Sequence, residues 1–373
     1  MRLAIVTESF LPWVNGVTRT VTALTAHLRR RGYQALLFAP GPGVEEHDGF
    51  EVVRVRGVTG VLYPDLTISP VAPGMRHRLR EFAPDVVHLA SPAALGVCGA
   101  WAARRVGLPV IAHYQTDLLA YARAYGGAPL ALAAGAAERS FYNRCALTYA
   151  PTPPMAEELR RRGFERVRVS GRGVDTQLFR PGRPGAVRAQ DLWPEGEGRR
   201  ILCVCRLARE KGLDRVMRIA RGRPELRFLV VGTGPLAEEL SRLAPANLRL
   251  AGLLESDALA DVYAAGDVFL HPASTETFGQ VIQEAMASGL PVVGVRAGGA
   301  GWLVEEGRTG MLAEAPGDGL GAVLDRMLRR TDLEVMGWTA RRAVAGRTWA
   351  ATFDALLDDY AAVAGKRSHR SAA

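Results

Sequence analysis

Ile201-Leu-Cys-Val-Cys205-Arg206-Leu-Ala-Arg-Glu-Lys211-Gly212 is an apolar run of strand length that opens directly into a charged turn closed by glycine. Apolar runs recur at Leu229-Val-Val231, Leu248-Arg-Leu250, Val268-Phe-Leu270 and Pro291-Val-Val-Gly294, with helix-length segments between them. Strands that alternate with helical patterns make parallel sheets covered by helices. An earlier series has the same form. Leu3-Ala-Ile-Val-Thr7 leads through a glycine loop to a helix whose apolar stripe is Val17, Val21, Leu24 and Leu28 and which ends at Gly32. Asp85-Val-Val-His-Leu89 and Pro109-Val-Ile-Ala-His113 are further strands of that series. Between them, Arg180 to Arg199 is rich in proline, glycine and charge, the composition of a linker. The expectation is an α/β chain with two doubly wound domains, 1–178 and 200–345, joined by a linker at 179–199. Their strand C-terminal ends would face a cleft, where open α/β sheets take their ligands. Trp349, Phe353, Leu356, Leu357 and Tyr360 mark an amphipathic helix over 346–365, and Lys366 to Ala373 reads as a frayed tail.

A length of 373 residues is too long for one core and comfortable for two. No stretch reaches the roughly 18 uninterrupted apolar residues of a membrane helix, and the first residues lack the apolar core of a signal peptide, so a soluble, cytoplasmic protein is expected. Cys98, Cys145, Cys203 and Cys205 have no C-x-x-C spacing, and the seven histidines form no H-E-x-x-H pair, so no metal is expected. The net charge of +9 points to an anionic partner. No zinc finger or recognition-helix signature supports nucleic acid. The groups Arg29-Arg30-Arg31, Arg76/Arg78/Arg80, Arg104-Arg105 and Arg160-Arg161-Arg162 are either solvated helix ends or a face held to an anionic membrane surface.

Glu276-Thr-Phe-Gly-Gln-Val-Ile-Gln-Glu284 places two carboxylates eight positions apart on a loop-to-helix turn, with the helix expected from about Phe278. A helix N-terminus attracts phosphate, and ionised carboxylates accept hydrogen bonds from sugar hydroxyls. A nucleotide sugar offers both. As packing alone, Val281, Ile282, Ala285 and Met286 supply a core face, Gly289 the cap and Pro291 the stop. Arg206 and Lys211 follow the first strand of the second half, where fixed cations would stabilise a departing diphosphate. Gly16, in Asn15-Gly16-Val17 between the first strand and first helix, either lets a phosphate approach the backbone or serves only as a turn. Gly232-Thr-Gly234-Pro-Leu-Ala237 matches the looser dinucleotide fingerprint, with Glu255 roughly in the acidic position, and so supports a rival class, an NAD-dependent oxidoreductase.

These residues, with Glu8 to Thr18, His88 to Pro92, Tyr114-Gln-Thr-Asp117 and Gly171-Arg-Gly-Val-Asp175, resemble the retaining GT-B glycosyltransferases of glycosyltransferase family four. The resemblance spans nearly the whole chain and is greatest to bacterial GDP-mannose-dependent α-mannosyltransferases. It implies two Rossmann-like domains, the first binding the acceptor and the second the nucleotide sugar, with the C-terminal helix returning to the first. It implies a retaining, metal-independent hexosyltransferase with no cofactor, a GDP-mannose or UDP-hexose donor and a lipid or glycoconjugate acceptor. A UDP-sugar-dependent glucosyl, galactosyl or sulfoquinovosyl transferase is the alternative. The implied location is cytoplasmic, with peripheral contact at the inner membrane face. By resemblance, Gly16 donates to the diphosphate, Arg206 and Lys211 grip it, Glu284 binds the ribose and Glu276 the hexose. Phe278, Gly279 and Gln280 surround the sugar and diphosphate; independently of the resemblance, the loop of Gly232 and Gly234 also suits backbone contact with a nucleotide base or ribose. Two departures stand out. Relatives often have a histidine where this chain has Gln115, leaving His113 either as an active-site group or as a packed strand-end residue. Relatives also often place an acid after the Gly-Gly turn, and Gly298-Gly299-Ala300-Gly301-Trp302 has none.

Overall fold

The computed structural model describes residues 1–13, 15–59, 67–69, 72–115 and 132–371. The chain forms two compact units, Met1–Gly171 with Trp349–Ala373, and Arg172–Thr348.

The first unit is built on an eight-stranded sheet. Its spatial order is Val167–Val169, Leu147–Ala150, Val110–His113, Val86–Leu89, Arg2–Val6, Gln34–Pro40, Phe50–Val55 and Glu46–His47. All neighbours pair parallel except the last two. Side chains alternate across the pleat. Leu3 and Ile5 therefore pack on one face with Val21, Leu24 and Leu28 of the helix Gly16–Arg30 and with Phe353, Leu356 and Tyr360 of the helix Trp349–Ser371. Ala4 and Val6 face the opposite way, against the helices Met75–Phe82, Ala94–Arg105 and Pro153–Arg161. The terminal helix spans Trp349–Ser371, beyond the 346–365 expected from the sequence.

The second unit has six strands, all parallel, in the order Leu248–Gly252, Arg227–Val231, Arg200–Val204, Val268–His271, Val292–Val295 and Gly310–Ala313. Strand order reverses between Arg200–Val204 and Val268–His271, and ligands of such sheets lie beyond the strand C-termini at that reversal. In the first unit the equivalent point lies between Arg2–Val6 and Val86–Leu89.

Residues 179–199 do not form the expected linker. They belong to the second unit, where Trp193 is 2% exposed, Phe179 is buried, and Arg183 donates to Leu178 O at 2.9 Å and pairs with Asp257 and Asp261. The prolines and glycines serve local turns, as Gly182 with φ +68° does, over a segment that an indole anchors to the core. The units change at Gly171/Arg172 and again at Thr348/Trp349. Among the described residues, no group of three or more His, Cys, Asp or Glu is placed to hold a metal ion, and no helix is long and apolar enough to cross a membrane.

Candidate functional site

At the reversal point of the second unit, the loops after Arg200–Val204 and Val268–His271 are bound to each other. Arg215 Nη1 donates to Pro272 O at 3.1 Å, Thr275 Oγ1 to Glu210 O at 3.1 Å, and Lys211 Nζ to Glu276 Oε2 at 2.8 Å. Gly212, with φ +67°, lets the chain turn from Lys211 into the helix Leu213–Arg221. Burial alone would push the Glu276 carboxyl up, but Lys211, His271 and Arg172 outweigh it and hold the group below the usual carboxylate range. The carboxylate is thus ionised and aimed by an ammonium. His271 lies buried beneath this pair, pushed down to about 4 by desolvation, and is neutral at physiological pH.

The Gly298-Gly299 turn has a steric reason, while the lack of an acid after it has no structural explanation. A Cβ on Gly298 would collide with Glu276 O and one on Gly299 with Phe278 O, while Gly299 N donates to Glu276 O at 2.9 Å. The backbone carrying Glu276 to Gly279 lies directly on these glycines, and Phe278 is buried against Trp302 at 6.0 Å between ring centroids. Gly279, φ +88°, starts the helix Gln280–Ala287, two residues later than expected. Glu276 therefore lies outside the helix, and helical phase does not relate it to Glu284. Glu284 is buried and accepts from Tyr263 Oη at 3.2 Å. Gln280 Nε2 donates to Gly173 O at 3.1 Å and Gln283 Nε2 to Arg172 O at 2.9 Å, so the Gln280 amide nitrogen is committed to backbone. Arg206 is exposed beyond the C-terminal end of its strand.

Gly232 and Gly234 have a steric reason of their own. A Cβ on either would strike the backbone of Cys205 or Leu207, where Leu207 N donates to Thr233 O at 2.9 Å and Leu236 N to Leu207 O at 3.0 Å. Both glycines follow the second strand of the sheet, whereas a dinucleotide fingerprint follows the first. The oxidoreductase reading loses its main support.

In the first unit, Gly16 is the first residue of its helix. Asn15 Oδ1 takes the N–H groups of Val17 at 2.9 Å and Thr18 at 3.0 Å, and the Gly16 N–H has no intrahelical acceptor. His113 ends its strand between the rings of His88 at 4.9 Å and Tyr149 at 4.8 Å, a packed position. His88 is itself buried, hydrogen-bonded to Tyr360 Oη and pushed down to about 3 by burial. Gln115 is half-buried just beyond; Val14, Thr116 and Asp117 of the neighbouring motifs lie outside the described residues. Three groups were given no role in the sequence reading: Glu8 and Arg172, quoted there only as members of motifs, and His271; Glu8 accepts from Ala93 N at 2.8 Å and Gly96 N at 2.7 Å, and His271 and Arg172 act on Glu276. Their sequence neighbours carry no partner that would have flagged them.

The family model for Glycosyltransferase Family 4 matches residues 14–178, and that for Glycosyl transferases group 1 matches 198–330. A GDP-mannose-dependent alpha-mannosyltransferase of Corynebacterium glutamicum is 39% identical over 97% of this chain and 89% of that protein. One of the same description from Mycolicibacterium smegmatis is 41% identical over 100% of both. The sulfoquinovosyl transferase SQD2 of Arabidopsis thaliana is 31% identical over 97% of this chain and 74% of that protein. Anabaena Alr3699/HepE in complex with UDP shares the fold, with a TM-score of 0.78 at 19% identity over 97% of this chain and 100% of that one.

Proposed function

We propose, from the premise that the chain belongs to glycosyltransferase family 4, whose members are retaining GT-B enzymes using nucleotide-sugar donors, that it moves mannose from GDP-mannose to a lipid or glycoconjugate acceptor. The observation that carries this is the Lys211–Glu276 pair at the reversal point of the second sheet. A nucleoside diphosphate hexose needs cations for its diphosphate and carboxylates for its hydroxyls, side by side. Lys211 and Arg206 grip the diphosphate. Glu284 takes the ribose hydroxyls, and Glu276 the hexose, within the turn of Phe278, Gly279 and Gln280. Gly232 and Gly234 let the nucleotide approach backbone.

In the reaction the bond from the anomeric carbon to the β-phosphate oxygen breaks, and the acceptor oxygen bonds that carbon on the same face. The hydroxyl proton passes to the departing phosphate oxygen, because Gln115 has no titratable group and His113 is packed among aromatic rings. Charge grows on the diphosphate as the bond breaks, so a fixed ammonium stabilises the transition state more than the ground state. Metal is not needed for this step.

The second reading, a UDP-linked donor, draws on the likeness to the sulfoquinovosyl transferase. Peripheral attachment to the inner membrane face is part of the proposal. It draws on the stripe of the helix Ala94–Arg105 that leaves Val97 51% and Trp101 54% exposed, with Arg105 over the Trp101 ring at 5.0 Å and Arg76 and Arg80 exposed on the helix Met75–Phe82. The test is transfer from GDP-mannose and from UDP-glucose to lipid acceptors presented in anionic vesicles. The expected product is an α-mannosyl lipid, formed by protein that sediments with vesicles at low salt and leaves them at high salt. Transfer from the UDP sugar alone contradicts the donor assignment, and failure to sediment contradicts the membrane attachment.

A further inference from the structure

Backbone groups of three successive residues, Arg172, Gly173 and Val174, are pinned where the second unit begins. Gln283 Nε2 holds Arg172 O at 2.9 Å, Gln280 Nε2 holds Gly173 O at 3.1 Å, and Val174 N donates to Arg347 O at 2.8 Å. Gln283 is fully buried, and the Oε1 atoms of both glutamines are buried without a partner. A buried amide with an unmet oxygen is costly, and Met or Leu would fill similar volume without that cost. The bonds from the two Nε2 atoms are therefore what these residues are there to make. They fix the backbone that carries Arg172 against the helix that follows the Glu276 turn.

Arg172 is also electrostatically joined to that turn. Burial draws its guanidinium down and Glu276 draws it up, while Arg172 in return helps keep Glu276 ionised. The titratable groups facing Glu276 are Lys211, His271 and Arg172, and since His271 is neutral the two cations are Lys211 and Arg172. Lys211 reaches Oε2. We propose that Arg172, set in place by Gln280 and Gln283 beside the helix that follows the Glu276 turn, is a positioning residue that acts with Lys211 on the orientation of the Glu276 carboxylate toward the donor hexose. The proposal rests on the assignment of Glu276 to the hexose.

Arg172→Met and Arg172→Lys are compared with the unaltered enzyme for GDP binding, GDP-mannose binding and the pH profile of kcat/KM. GDP lacks the hexose, so its affinity stays unchanged in Arg172→Met, while kcat/KM for GDP-mannose falls on the order of tenfold or more. Losing a cation lets Glu276 protonate at higher pH, so the acidic limb of the profile moves upward; Arg172→Lys restores most of both effects. Gln283→Met, which keeps volume and removes the amide, shows the same contrast between GDP and GDP-mannose. An unmoved acidic limb, or equal losses for GDP and GDP-mannose, overturns the proposal. A different preferred donor gives the same comparison between that sugar nucleotide and its bare diphosphate. An unaltered enzyme that binds no sugar nucleotide instead overturns the proposed function.

Discussion

Lys211→Ala is expected to lower kcat/KM for the donor by about 10²–10³, the usual cost of removing one fixed donor aimed at developing charge. Lys211 serves twice: its ammonium takes Glu276 Oε2 at 2.8 Å and is assigned to the diphosphate. Removing it also leaves Glu276 buried with one cation fewer, so the carboxyl rises toward protonation and the acidic limb of the rate profile moves to higher pH. The sequence gives a second reason to expect a large effect. The chain has only two lysines, Lys211 and Lys366, against 45 arginines, so arginine fills almost every basic position except this one. A compact ammonium suits a site where the cation is wedged between a carboxylate and the ligand, and a planar guanidinium does not. Lys211→Arg is therefore expected to recover little activity. Steady-state kinetics of both variants decide the matter. Rates within a few-fold of the unaltered enzyme would remove Lys211 from the chemistry.

Glu284→Ala is expected to weaken GDP and GDP-mannose equally, by about 10²-fold or more, since two hydrogen bonds from ribose hydroxyls to a buried carboxylate are worth roughly 1.5–3 kcal/mol each. Equal losses separate this residue from Arg172, which is expected to discriminate between the two ligands. The fold should tolerate the change, because Tyr263 Oη, which donates to Glu284 at 3.2 Å, also has Val281 O at 3.1 Å. Calorimetric titration with the two ligands, beside the melting temperature of each variant, checks this. Undiminished affinity in a folded variant would break the ribose assignment.

Alternating strands and helices were legible in the sequence because each buried strand must be apolar and each covering helix must carry a stripe. The strand order was not, since hydrophobic periodicity says nothing of which strand lies beside which. That order is what brings Lys211 to Glu276 across 65 positions of chain. The segment 179–199 was misread because proline and glycine report turns, and turns occur inside a folded unit as well as between units; Trp193 was the contrary signal. The Gly298-Gly299 turn looked deficient for lacking an acid, and its use turned out to be steric. Gln280 was legible only as a neighbour of the ligand. Its bond to Gly173 O has no sequence signal, because a backbone carbonyl 107 residues away leaves no mark in residue type.

The central claim is that this chain binds a guanosine diphosphate sugar, and thermal unfolding in the presence of EDTA tests it most directly. GDP, UDP, ADP, GDP-mannose, UDP-glucose and NAD would each be supplied, since a ligand at about 100 times its dissociation constant adds roughly 2.7 kcal/mol to stability. The account predicts that GDP and GDP-mannose raise the melting temperature and that UDP-glucose and NAD do so little or not at all. Stabilisation by NAD alone, or by none of the six, would contradict it.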